Sequence, residues 1–119
     1  MDKLVIEGGV RLKGEVALSG AKNAALPILA AALLTDEPCI IGGVPDLCDT
    51  STMLKILRSL GKNAELDKGI VAMSSGRRIN FIADYKFVST MRASFCVLGP
   101  LLAKLGKAKV SCLAAVLSA

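Results

Sequence analysis

The stretch that decides the fold is LSGAKNAALPILAAALL, Leu18 to Leu34. It is almost all alanine and leucine, a composition with high helix propensity. Its opening is the anomaly: a lysine and an asparagine, Lys22 and Asn23, stand close behind Gly20. The spacing predicts a helix over 21–34, with Pro27 tolerable if it falls in the first turn. A helix apolar on all sides is expected to be buried rather than amphipathic.

Working outward, KLVIEG and RLKGEVALSG partly alternate polar and apolar residues around Gly8-Gly9. That pattern predicts strands at 4–6 and 11–18. Beyond the helix, Glu37-Pro38 is a stop and 39–41 is expected to be a short buried strand. The segment VPDLCDTSTMLKILRSLG predicts a second helix, with Asp49 or Thr50 as N-cap. Met53, Ile56, Leu57 and Leu60 form its apolar stripe, and Gly61 ends it. Strands follow at 62–66, 70–73 and 79–82, with Lys68-Gly69 and Ser74-Ser75-Gly76 as turns. A third helix over 87–105, bent at Gly99-Pro100, precedes a last strand from Lys107 to Ser111. Strands and helices alternate in a mixed order, so the fold class is α+β, with sheet and helices in layers.

Composition sets outer bounds. The 119 residues suit one ordinary domain. With 53% hydrophobic residues but only three Phe, one Tyr and no Trp, the core must be aliphatic. The net charge of +5 comes from scattered basic residues with no aromatic interleaving, which argues against nucleic acid as partner. The chain has four cysteines, none in a CxxC pair, and no histidine, so a zinc site has no conventional ligand set. Cys39, Cys48 and Cys96 stand among apolar residues and are expected to pack in the core. MDKLVIEGG has no apolar signal core, and the uncharged run from Ala24 to Leu34 is too short to span a bilayer. The expectation is a cytoplasmic protein with reduced thiols and no membrane insertion.

Three residues, Lys22, Asn23 and Arg92, suggest chemistry. A helix N-terminus carries unpaired N–H groups and partial positive charge, so Lys22 there adds a full charge to an anion site. Asn23 adds an amide that both donates and accepts. The same spacing also fits a turn glycine followed by a solvated lysine. Arg92 lies among apolar neighbours in STMRASFCVLGPLLAKLG, where its planar fork suits a phosphate. A surface arginine near a helix start fits equally.

Taken in order, LSGAKNAALPILAAALL, VPDLCDTSTML and VSTMRASFCVLGPLLAKLGKAKVS resemble the N-terminal part of the UDP-N-acetylglucosamine enolpyruvyl transferases (1-carboxyvinyltransferases), from Met1 to about Ser111. The resemblance implies transfer of the enolpyruvyl group of phosphoenolpyruvate to the 3-hydroxyl of UDP-N-acetylglucosamine, in peptidoglycan synthesis. It implies no metal or organic cofactor. It also implies an inside-out barrel built from repeated strand–helix units, here incomplete. By motif match, Lys22 and Asn23 would contact phosphoenolpyruvate, and Arg92 the nucleotide sugar and neighbouring anions.

Members of that family are several times longer. The resemblance therefore assigns 1–21 to strands of an otherwise missing second domain, 22–111 to part of the first domain, and 112–119 to an aberrant tail. The family continues LPGGCAIGA after Ser111, with a general-acid cysteine that falls at Val116 here; no catalytic residue is assigned in its place. LPGGCAIGA in ordinary codons, read one base later, gives CLAAVLSA, which is Cys112 to Ala119. A frameshift at about Ser111 is the expectation, with a second cause needed for the end at Ala119. The functional expectation is a transferase fragment inactive by itself. The alternatives are a stand-alone module for an anion or nucleotide sugar, and a pseudogene product without function.

Overall fold

The computed structural model describes residues 2–76, 78–83 and 92–110. Helix α1, Lys22–Ala31, continues as a 3₁₀ turn over Ala32–Leu34. Strand β1, Cys39–Ile41, leads to helix α2, Cys48–Ser59. Strands β2, Lys62–Asp67, and β3, Ile70–Ser75, form a hairpin. Strand β4, Ile82–Ala83, comes next; a 3₁₀ segment, Arg92–Val97, then runs into helix α3, Leu98–Leu105, and strand β5, Lys109–Val110, closes the order.

The strands form separate sheets. The larger is antiparallel with the order β1-β3-β2, and β4 pairs with β5 in parallel. Register in the hairpin is set by alternation. Lys62 and Ala64 on β2, and Val71 and Met73 on β3, face inward, while Asn63, Glu65, Ile70 and Ala72 face out. A one-residue slip would exchange those faces. The turn fits this register: Lys68 and Gly69 both have positive φ, 46° and 79°, the backbone of a two-residue hairpin loop.

The core is aliphatic, as composition requires. Met53, Ile56 and Leu57 on α2 and Leu60 at its C-cap are fully buried against Leu29 and Leu33 from α1 and its 3₁₀ extension, with Val71, Val97 and Leu101. Each such side chain contributes about 1.5–3 kcal/mol of transfer free energy. The stripe expected on α2 is therefore the one that packs.

Other expectations are corrected. Strands at 4–6 and 11–18 do not form: residues 2–20 lie outside any helix or strand. Leu4, Val5, Ile6, Val10, Leu12, Val16 and Leu18 are all exposed. Among the described residues nothing offers them a ladder, and a strand without a partner leaves its backbone groups to water. Helix α1 is not buried all round. Ala25, Leu26, Leu29 and Ala30 are buried, while Ala24, Pro27, Ile28 and Ala31 are exposed. Pro27 falls in the second turn, where its missing N–H leaves the Asn23 carbonyl without its helical donor. That carbonyl belongs to an exposed residue, so water can take the donor's place.

Strand β1 is a sheet edge with Ile40 81% exposed, not a buried strand. Ser74 and Ser75 belong to β3 rather than to a turn. Of the strand expected at 79–82, only Ile82 belongs to a strand, β4. The third helix changes type rather than bending: a 3₁₀ segment gives way to α-helix at Leu98, and Pro100 falls in the first turn of α3. Its expected start at 87–91 lies outside the described residues, as do Ser111 and the tail 112–119.

Candidate functional site

The N-terminus of α1 is built without a capping side chain. Ala21, the N-cap, is in extended conformation and has no side-chain acceptor. The first helical bonds run from the Ala24 and Ala25 N–H groups to the Ala21 carbonyl, at 3.1 and 3.0 Å. The N–H groups of Lys22 and Asn23 precede that ladder, so the helix itself provides no acceptor for them. Both residues are exposed.

Gly20 fixes where this helix end sits. A β-carbon there would overlap the carbonyl oxygen of Gly43, so the chain entering α1 lies directly on the loop between β1 and α2. That loop is itself held, because the Val44 N–H donates to the Gly69 carbonyl at 2.9 Å. Helix α2 begins from it. Its N-cap is Leu47, which has no acceptor, so neither Asp49 nor Thr50 occupies the expected cap position. Thr50, fully buried, ties the entry to α2 from inside the first turn. Its Oγ1 accepts from the Leu47 N–H at 3.0 Å and lies 2.7 Å from both the Pro45 and Leu47 carbonyls.

Asp49 is left free for another task. Its Oδ2 is 2.8 Å from the Nζ of Lys22, with the side chains 38% and 45% exposed respectively. The start of α1 and the start of α2 thus face one another across an ion pair open to solvent. The arrangement offers a compact anion unpaired N–H groups, positive helix ends and a lysine, with one carboxylate in competition. The sequence marks Lys22 and Asn23 as candidates and offers Asp49 only as a cap. A first-turn aspartate is common enough for capping that its partner on another helix leaves no mark in the sequence.

Arg92 opens the 3₁₀ segment, which packs on α1. Its element is therefore a neighbour of the Lys22 helix, and its side chain lies outside the described ones. Of the cysteines expected in the core, Cys39 and Cys96 are half-buried and Cys48 is exposed; Cys112 is outside the described residues. Among the described residues no group of His, Cys, Asp or Glu could hold a metal ion. No described helix is long and apolar enough to cross a membrane.

A separate charged cluster lies at the opposite end of α1. Lys62, 2% exposed, donates to the Thr35 carbonyl at 2.5 Å and to Ser75 Oγ at 3.2 Å. Asp36 accepts from Ser75 Oγ at 3.3 Å and from Lys104 Nζ at 2.5 Å. Burial, aided by the nearby Lys104 charge, holds the Lys62 ammonium below the usual lysine range. The Lys104 hydrogen bond holds the Asp36 carboxyl below 3.8. This network ties α1, the hairpin and α3 together, and it contains none of the residues that sequence marked for substrate. A basic cleft of about 480 Å³, lined by Arg78, Asn80, Phe81 and Lys107 among others, opens beside the entry to β4. The Lys107 Nζ stands 4.4 Å from the Phe81 ring centre.

Residues 6–118 match the family described as EPSP synthase (3-phosphoshikimate 1-carboxyvinyltransferase). Among solved structures, the crystal structure of the enolpyruvyl transferase NikO from Streptomyces tendae is similar to this chain, with a TM-score of 0.70 and 27% sequence identity. The similarity covers 83% of this chain and 23% of that one, so the chain spans less than a quarter of that protein's length.

Proposed function

Because this chain belongs to the EPSP synthase (3-phosphoshikimate 1-carboxyvinyltransferase) family, whose members are enolpyruvyl transferases, we propose that it carries part of the substrate site of such an enzyme. The reaction we assign is transfer of the enolpyruvyl group of phosphoenolpyruvate to the 3-hydroxyl of UDP-N-acetylglucosamine, in the cytoplasm, for peptidoglycan synthesis. The observation that carries this reading is the exposed helix start at Lys22 and Asn23, with N–H groups that precede the helical ladder. Preorganised donors at such a point favour a small, highly charged substrate and the charge that develops as it reacts. The choice of UDP-N-acetylglucosamine over a shikimate phosphate rests on the SGAKNAALPIL and MRAS motifs, 19–29 and 91–94. Residues 1–21 are proposed to complete a second domain, and 22–111 to form part of the first.

Lys22 and Asn23 are assigned to phosphoenolpyruvate, and Arg92 to the nucleotide sugar. Val116 stands where the resemblance places the general-acid cysteine, so the chain by itself is expected to bind without turning over. The test is a titration of the isotope-labelled chain with phosphoenolpyruvate, UDP-N-acetylglucosamine and shikimate 3-phosphate, followed at the backbone amides. Shifts at Lys22 and Asn23 with the first compound, and additional ones near Arg92 with the second, are expected; Lys22→Ala should abolish the former. A response to shikimate 3-phosphate with none to UDP-N-acetylglucosamine overturns the substrate assignment.

A further inference from the structure

Resting on the reading of Lys22 as a ligand of the substrate anion, we propose that Asp49 is its resting counter-ion. Asp49 holds the ammonium in place while the site is empty and gives it up when an anion arrives. The geometry supplies both halves of this role. The Gly20–Gly43 backbone contact brings the start of α1 onto the loop that leads into α2, and the Lys22 Nζ lies 2.8 Å from Asp49 Oδ2. Asp49 lies inside the first turn of α2 rather than at its N-cap, and its carboxylate has the Lys22 ammonium as ion-pair partner. The pair is more than a third exposed on each side, so it is a weak bond that a solvated competitor can break.

The charge balance gives the direction of the effect. A lysine at the start of a helix opposes the helix field, and a carboxylate at the start of the next helix relieves that strain. When a phosphate enters, the N–H groups of Lys22 and Asn23 can take its oxygens, and Lys22 Nζ can swing from Asp49 to the same anion. Asp49 then repels the ligand over a short distance. It also sets a threshold: a dianionic phosphoryl group outcompetes the carboxylate, while a single carboxylate gains too little to do so. Asp49 is thus a positioning residue that acts through Lys22 and filters for highly charged anions.

The test is binding of inorganic phosphate, phosphoenolpyruvate and acetate to the full chain, measured for wild type, Asp49→Asn, Asp49→Glu and Lys22→Ala. Removing the competing carboxylate should tighten phosphate and phosphoenolpyruvate binding about three- to tenfold and raise acetate binding toward them. Asp49→Glu, which keeps the pair, should stay near wild type. A gain in affinity cannot arise from a damaged fold, so this direction separates the role from a structural one. Binding by Asp49→Asn where wild type shows none also supports the proposal. Binding by wild type with Asp49→Asn unchanged or weaker overturns it and leaves the Lys22 assignment standing. Absence of anion binding in both overturns the counter-ion role and the Lys22 assignment together.

Discussion

At the scale of single residues, the site depends on two positions that carry no charge. Gly20 is required because any side chain would enter the Gly43 carbonyl. Gly20→Ala should push the start of α1 off the β1–α2 loop and break the Lys22–Asp49 pair. The expected readout is loss of anion-induced shifts at Lys22 with the far-ultraviolet helix signal retained, since the contact lies outside α1 itself. Thr50 is the second. Its buried hydroxyl bonds the Leu47 N–H and the carbonyls at the entry to α2, so Thr50→Ala should cost about 1–2 kcal/mol in urea denaturation. Thr50→Ser keeps the hydroxyl and should recover most of that loss. The sequence offers Thr50 as N-cap, but Leu47 takes that place and Thr50 falls inside the first turn. A threonine near a helix start is visible in a sequence, whereas the register of the first turn depends on how Pro45 and Leu47 leave the sheet.

At the scale of elements, α2 and the hairpin were the most legible parts, because each has one inner face and a clear period. Leu57→Ala, on the fully buried stripe, should cost about 2–5 kcal/mol. Lys62 shows where an element's pattern hides something. It opens β2 on the inward face, where alternation calls for an apolar residue. Its folded pKa lies below the unfolded value near 10.5, so the protonated form is disfavoured by folding. The sign follows by linkage: the cost is present at neutral pH and is relieved as pH rises through the folded pKa toward 10.5. Wild type should therefore gain stability relative to Lys62→Met on the alkaline side, seen as converging or crossing melting curves with pH. A difference that is flat from neutral pH to the lysine range would refute this. At neutral pH the substitution should change stability by no more than about 1 kcal/mol. The lost bonds to Thr35 and Ser75 can pass to water, and a buried charge is removed.

At the scale of the whole molecule, the described chain is a layered unit of helices on an antiparallel sheet, with apolar surface left open. Leu4 at 86%, Leu12 at 94% and Leu18 at 93% exposure form a leading segment that no described element covers. Such surface favours self-association. Deleting 2–18 should leave the melting temperature of the folded unit nearly unchanged and reduce light scattering at high concentration; a large fall in melting temperature would show that the segment packs after all. Legible in the residues alone were the helix that begins behind Ala21, the stripe on α2, the hairpin with its Lys68-Gly69 turn, and membership of the enolpyruvyl transferases. Those are properties of local period, turn chemistry and ordered residue identity. Tertiary structure decided the rest. It left 4–18 unpaired because strands exist only with partners, and it exposed half of α1 because burial needs a second surface. It also made Asp49 the partner of Lys22, because the contact between Gly20 and Gly43 joins positions that the linear chain keeps apart.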